Sequence, residues 1–193
     1  MPAAQRKPVE VQIRPAARAE VPTLNALIEA SVRCLQASDY TGEQIEGALQ
    51  TVFGVDTHLV NDGTYLVAET RRSPRGEVVI VGCGGWSKRK TLFGADQWTA
   101  RKDDLLDPRV DAAKIRAFFI HPDWARCGVG TQLLQACEDA AKAAGFTCFE
   151  MGATLTGAKL FGSRGYVALE HLSIPLINGA SLPIVHMRKE VCS

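Results

Sequence analysis

The chain has 193 residues, 46% of them hydrophobic and 22% charged, which predicts a single domain with one core over about residues 9–190. Twenty-two Lys and Arg against 21 Asp and Glu leave a formal charge of +1, so no global field draws the protein onto nucleic acid or an anionic membrane. The longest apolar runs, 78–81 and 117–120, are strand-sized and exclude a membrane span, which needs roughly 18 apolar residues.

The opening MPAAQRKP lacks the apolar segment and cleavage site of a secretory signal, which predicts a cytoplasmic location. Residues 9–13 alternate as a strand, and Pro15 is expected to end it. Val21, Leu24, Leu27, Ile28, Val32 and Leu35 recur at helical spacing and predict an amphipathic helix over 19–35. A second helix over 41–53 starts at the capping pattern Thr41-Gly42-Glu43-Gln44, and Ser38, Asp39 and Tyr40 make a polar elbow before it. Strands over 64–69 and 78–86 are joined as a hairpin by the Ser-, Pro- and Gly-bearing stretch 71–76. Residues 87–113 read as a long polar insertion, with Lys88, Arg89, Lys90, Arg101 and Lys102 beside Asp96, Asp103, Asp104, Asp107 and Asp111. A connection of that length in a compact domain is usually functional or mobile.

A strand over 115–120, cut off by His121-Pro122, leads into a helix that begins at glycines and runs to Ala144, with Gly145 placed to end it. Its apolar face carries Val129, Leu133, Leu134, Cys137, Ala140 and Ala141. A strand over 146–151, a short helix over 157–163, a strand over 166–174, the Asn178-Gly179 turn and a strand over 182–189 complete a mixed α/β order. The six cysteines show neither CxxC spacing nor a His at zinc-finger spacing, so they are expected to be reduced and mostly buried, with no metal site. Cys127 stands apart because it lies in the Gly-rich turn.

The informative stretch is IRAFFIHPDWARCGVGTQLL, residues 115–134, in which a buried strand turns into a helix that starts at Gly128, Val129, Gly130 and Thr131. Backbone N–H groups at a helix start lack intrahelical partners and carry the positive end of the helix dipole, so they bind anions. Glycines at 128 and 130 keep side chains away from those groups, and Arg126 adds a charged donor. The pattern is a diphosphate cradle. It is neither GxGxxG, because position 133 is Leu133, nor a P-loop, because no GKS or GKT follows.

Over this string the chain resembles the GCN5-related N-acetyltransferase (GNAT) family, whose signature Q/R-x-x-G-x-G/A follows a strand that often ends in V-x-P. IHPDWARCGVGTQLL is similar along its whole length, with Ala125 where the family has Gln or Arg and Arg126 one place later. The order of elements on both sides matches as well. The resemblance implies an α/β (α+β) fold: a mixed sheet of six to seven strands, splayed between the fourth and fifth, flanked by about four helices. It implies an acetyl-CoA-dependent N-acetyltransferase that moves an acetyl group to a primary amine of a small molecule or peptide by direct attack in a ternary complex. The backbone of Phe118, Phe119 and Ile120 would pair with the pantetheine arm, and N–H groups from Arg126, Cys127, Gly128, Val129, Gly130 and Thr131 would hold the pyrophosphate. The later LTGAKLFGSRGY, residues 155–166, is similar to the family's N-x-x-A-x-x-F-Y-x-x-x-G-F. It keeps Phe161 at the donor site but has Leu155 for the Asn and Gly162 where a Tyr often serves as general acid.

An amine of pKa about 10 is protonated at neutral pH and must lose a proton before it attacks. The family often places a Glu on the fourth strand for this, and residues 112–120 contain no acid. Glu150, Asp123, His121 and the aspartates of the insertion remain as sources of the base. Ser163, Cys148, Tyr166 or water remain as proton donors to the leaving thiolate. Substrate choice is expected from Asp39, Tyr40, the segment 84–90 and the insertion with Trp98, whose acidic cluster would attract a cationic amine. A reading of another class, a CoA-binding sensor without turnover, rests on the missing acid and missing Tyr. A homodimer is left open, and nucleic-acid binding is disfavoured.

Overall fold

A computed structural model of the protein describes residues 8–72, 76–102 and 104–191. Asp103, Cys192 and the middle of the expected 71–76 turn lie outside the described residues. The strands are β1 (Gln12–Pro15), β2 (Tyr65–Arg71), β3 (Val78–Ser87), β4 (Ala113–Ile120), β5 (Cys148–Thr154), β6 (Val167–Pro175) and β7 (Ser181–Glu190). The α-helices are α1 (Val21–Leu35), α2 (Gly42–Thr51), α3 (Thr57–Asn61), α4 (Val129–Ala143) and α5 (Leu155–Gly162). Among the described residues this makes a seven-stranded sheet in the order β1-β2-β3-β4-β5-β7-β6 with five α-helices, one more than expected. No helix among them is long and apolar enough to cross a membrane.

Local chemistry accounts for the element boundaries. α2 starts where the capping pattern placed it: the Thr41 hydroxyl accepts from the Gln44 N–H at 3.2 Å, and the Thr41 N–H donates to the Gln44 side chain at 3.0 Å. The unforeseen helix, α3, has five residues and is capped by Asp56, which accepts from the His58 N–H at 3.0 Å. β1 ends at Pro15 as expected, with Pro15 its last paired residue, opposite Leu66, and the proline is tolerated there because β1 is a sheet edge. The α4 crossover between β4 and β5 makes that pair parallel, while the other pairs are antiparallel.

Two cores lie on opposite faces of the sheet. α4 covers Val81, Ile115, Phe149, Met151 and Met187 through Val129, Leu133, Leu134, Cys137 and Ala141. α1 to α3 cover Tyr65, Val67, Cys83, Phe119, Leu182 and Ile184. The charged Glu138 is admitted to the α4 core, at 2% exposure, because Lys189 bonds it at 2.7 and 2.9 Å and the Tyr166 hydroxyl at 3.0 Å.

The 87–113 insertion is not a solvated loop. Ala95, Thr91 and Ala112 are buried, and Arg101 reaches back to the fully buried Asp56 at 2.7 Å. Asp56 also bonds Arg116 of β4 at 2.8 Å, so one carboxylate joins the insertion, α3 and the central sheet.

Candidate functional site

Among the described residues, β4 and β5 pair only at Ala113–Phe149 and Lys114–Glu150. Beyond Lys114 they separate, and the side of β4 that faces β5 has no ladder partner there. Opposite Cys83–Gly85, β4 carries a bulge in which Ala117 adopts φ 52°. The Ala117 carbonyl accepts from the Tyr65 hydroxyl at 3.0 Å, and burial holds that phenol well above its usual pKa. The bulge breaks the simple in-out alternation. Phe118 turns to the α4 side, edge-on to Phe161 at 5.7 Å, while Phe119 turns to the other core, edge-on to Phe53 at 5.6 Å. Gly84 leaves the room that the Phe118 ring fills, since a Cβ there would collide with it.

At the mouth of the split, α4 begins at Gly128 with φ 79° and no side-chain cap. Among the described residues no side chain caps the first-turn N–H groups, and the left-handed turn at Arg126, φ 63°, precedes them. The two glycines serve different needs. Gly128 needs its positive φ, since a Cβ there would meet only Pro8 at 3.8 Å and Gln132 at 4.0 Å. Gly130 needs space, since its Cβ would come within 3.0 Å of Leu160. Arg126 is exposed, and Arg164 donates to the Thr131 hydroxyl at 3.0 Å. Arg164 was not singled out by the sequence pattern, because only the end of α5 docking on the start of α4 brings it there, and Lys159 of the same helix lines the cavity described below. Cys127 is buried, with its Sγ 3.6 Å from the Ala125 carbonyl, and is not presented to solvent.

Split and cradle open into one cavity of about 710 Å³. One arm is lined by Phe118, Ile120, Arg126, Gly130, Thr131 and Phe161. The other runs beneath the end of α1 to Ser31, Gln36, Phe53, Phe93, Leu182 and Ile184. The arms meet near Ala117 and the start of α5. There the buried Tyr40 hydroxyl donates to the Pro183 carbonyl and accepts from the Leu155 N–H, both at 2.8 Å. Burial pushes the Tyr40 phenol up to about 12. Asp39, the other elbow residue, accepts from Thr156 at 2.6 Å.

The proton-transfer candidates fall in different places. Glu150 does not line the cavity; it bonds Lys114 at 2.6 Å and Arg188 at 3.1 Å. Burial raises its pKa, but Lys114, His186 and Arg188 outweigh that and hold it below the usual carboxylate value, which makes it a poor base. Asp123 is exposed in the turn after β4, its N–H bonded to His121. Ser163 lines the cavity, and its hydroxyl donates to the Leu160 carbonyl at 2.7 Å. Tyr166 is committed to Glu138, and Cys148 is buried with its thiol pKa raised by desolvation.

The expected acidic attraction from the insertion is not what lines the site. Asp96 bonds Thr57 and lies near Arg101, Asp104 lies near Lys90, Asp107 bonds Arg109, and Asp111 accepts from the Asp107 N–H. What the insertion contributes to the cavity is Leu92, Phe93 and Gly94, with Trp98 packed behind Phe93 at 5.3 Å. In the 84–90 segment, Trp86 is buried against Phe146 and Arg89 bonds Asp62.

A sheet split between two parallel strands, with an uncapped helix start at the mouth of the split, is the arrangement that the resemblance to the GNAT acetyltransferases implies for holding acetyl-CoA. A sequence profile described as the acetyltransferase (GNAT) family matches residues 25–161, and the chain belongs to that family. Among curated proteins a sequence search finds no match. Among solved structures, a GCN5-related N-acetyltransferase from Rhodopseudomonas palustris, titled aminotransferase, class-II, is 25% identical with a TM-score of 0.66, covering 97% of this chain and 98% of its own. The PaiA N-acetyltransferase of Thermoplasma acidophilum, solved with coenzyme A, is 13% identical with a TM-score of 0.59, covering 94% and 99%. The ribosomal-protein-alanine N-acetyltransferase of Brucella melitensis is 17% identical with a TM-score of 0.56, covering 93% and 99%. The last two share the fold.

Proposed function

We propose that the whole chain is one acetyl-CoA-dependent N-acetyltransferase domain, working in the cytoplasm on a primary amine that enters the arm beneath α1. The observation that carries this is the continuity of one cavity from the uncapped start of α4, along the open edge of β4, to the side chains beneath the end of α1. Acetyl-CoA supplies an acetyl group activated as a thioester. The N–H groups of Val129, Gly130 and Thr131 bind its pyrophosphate, with Arg126, Lys159 and Arg164 neutralising charge around them. The unpaired edge of β4 at Phe118 to Ile120 orients the pantetheine arm as an added strand would. Phe118 and Phe161 exclude water from the donor arm.

The reacting end lies between Ala117 and Thr154–Thr156. Tyr65 holds the bulge and Tyr40 holds the start of α5, so the two walls keep a fixed separation. A coenzyme thiol near the roughly 8.5 of a cysteine leaves as thiolate without an obligatory acid, and Gly162 supplies none. The exposure of Val167 and Leu169 on the edge strand β6 supports a homodimer through that strand.

Isothermal titration with acetyl-CoA, followed by chromatographic detection of CoA release over a panel of amines, tests this. Binding with release for at least one amine is the expected outcome. Binding without release over a broad panel favours the sensor reading, and no binding removes both.

A further inference from the structure

Among the described residues no carboxylate lines the cavity, yet Asp56 and Asp39 are each bonded to a side chain that does. Asp56 meets the cavity through Arg116. A guanidinium is a donor that keeps its protons in proteins, so no proton reaches Asp56 through it. Asp39 meets the cavity through Thr156, whose hydroxyl donates to Asp39 Oδ2 at 2.6 Å. A hydroxyl is donor and acceptor at once, so it can take a proton on one side while it gives its own away on the other. Other hydroxyls of the lining lead elsewhere. Ser163 donates to the Leu160 carbonyl, Thr131 accepts from Arg164, and Thr154 accepts from the Gly157 N–H as the cap of α5.

Thr156 also stands where a proton must be taken. On α5 it shares the cavity-lining face with Leu160 and Ser163 at helical spacing, and it follows directly on Leu155, whose N–H is held by Tyr40 where the two arms meet. The same Tyr40 hydroxyl is anchored on the Pro183 carbonyl, so Asp39, its neighbour in sequence, is held against the start of α5. Asp39 is only half-buried, which leaves it in contact with water. Resting on the acetyltransferase reading above, we infer that the Thr156 hydroxyl takes a proton from the incoming amine and relays it to the Asp39 carboxylate. One proton of the ammonium passes to Thr156 Oγ1 as the hydroxyl's own proton passes to Asp39 Oδ2, which releases it to water. The nitrogen pair then forms the N–C bond, the C–S bond breaks with its electron pair on sulfur, and the second proton lost by nitrogen passes through water to the thiolate. Thr156 is the catalytic residue of this relay, and Asp39, acting through it, is a positioning residue.

The test uses the full chain, acetyl-CoA and a panel of primary amines led by benzylamine, 2-phenylethylamine and spermidine. CoA release is followed from pH 6 to 9 with the amine that reacts fastest. Of an amine with a pKa of about 10, roughly a thousandth is neutral at pH 7 and a tenth at pH 9. With the relay in place, kcat/KM for the amine is expected to be flat over this range. Thr156→Val keeps the branched shape without the hydroxyl, so only amine that arrives neutral can react. Its kcat/KM should fall about a hundredfold at pH 7 and climb about tenfold per pH unit toward the unaltered protein. Asp39→Asn can still accept the Thr156 bond but not the proton, and should show the same slope. Thr156→Ser restores the hydroxyl and should restore the flat profile. The Kd for acetyl-CoA is expected to be unchanged in all three.

The charged side chains on the two helices that the elbow joins and on α5 are Glu29, Arg33, Glu43, Glu46 and Lys159, and β7 carries none beside Pro183. The variants leave all of them in place, so a changed slope belongs to the Thr156–Asp39 pair. An acid that merely steadies the first turn of α5 gives a different result: Asp39→Asn and Thr156→Val lower the thermal midpoint and scale the rate, but the profile stays flat. That outcome overturns the inference, as does a climbing profile in the unaltered protein or in Thr156→Ser. Should Thr156→Val lose acetyl-CoA binding through misfolding, Asp39→Asn against Thr156→Ser carries the same comparison. Acetyl-CoA bound without CoA release for any amine of the panel overturns the acetyltransferase reading itself, and the relay with it.

Discussion

Gly130→Ala places a methyl group at the inner edge of the phosphate cradle, and its effects on stability and on binding separate. In a helix interior, alanine is favoured over glycine by about 0.8–1.0 kcal/mol. Against that, the new Cβ lies 3.0 Å from Leu160 Cδ2, and Leu160 must give by a few tenths of an ångström. It can, because Leu160 is half-buried beside the open cavity. The net stability change is therefore expected within about 1 kcal/mol. Binding is different: the Cβ also stands 3.8 Å from Ile120 and Phe118, on the floor along which the ligand must lie. If it costs one charge-assisted hydrogen bond from the first turn, about 1.5–3 kcal/mol, the Kd for CoA rises roughly ten- to a hundredfold. Gly128→Ala is the converse case. Its surroundings are open but its φ of 79° is left-handed, so about 1–2 kcal/mol appears as lost stability in the free protein. Gly128→Glu adds a negative charge and is expected to abolish binding. Urea denaturation and CoA titration on the three variants give the comparison. A Gly130→Ala protein that binds CoA with unchanged Kd would refute the assignment of the α4 start as the phosphate site.

Asp56→Asn leaves Arg101 and Arg116 without their shared buried carboxylate, and a loss of about 3 kcal/mol is expected in urea denaturation. Because Arg116 also holds the Gly94 carbonyl beside Phe93, acceptor KM should rise more than acetyl-CoA KM. Tyr40→Phe strips partners from the Leu155 N–H and the Pro183 carbonyl, costing about 1–3 kcal/mol in stability; kcat should fall more than KM for acetyl-CoA rises. On the acid side, hydrogen bonding to Arg14 lowers the pKa of Glu20, and hydrogen bonding to Arg89 lowers that of Asp62. Both pairs stabilise the fold above the ordinary carboxylate pKa of about 4 and lose that contribution as pH falls through the lowered values. Thermal unfolding followed from pH 6 to pH 2 should therefore drop steeply below pH 4, and Asp62→Asn should flatten that limb.

What was legible in the sequence was local. The Thr41–Gln44 cap, the glycine start of α4 and the strand before it were visible because each follows from residues within one turn of one another. The family signature lies in that same stretch, so the family could be recognised and the residues expected to hold the acetyl donor could be named in advance. The acceptor arm could not. Its walls come from α1, the 91–94 segment, β4 and β7, which approach only once β5 parts from β4 and the bulge at Ala117 sends Phe119 across the sheet. The aspartates of the insertion gave the wrong impression for a related reason. Their charge was readable, but their partners Thr57, Arg101, Lys90 and Arg109 were not, and pairing removes them from the site. Asp56, unremarked in the sequence, is the carboxylate that matters most to the geometry, because it turns two arginines into struts for Phe93.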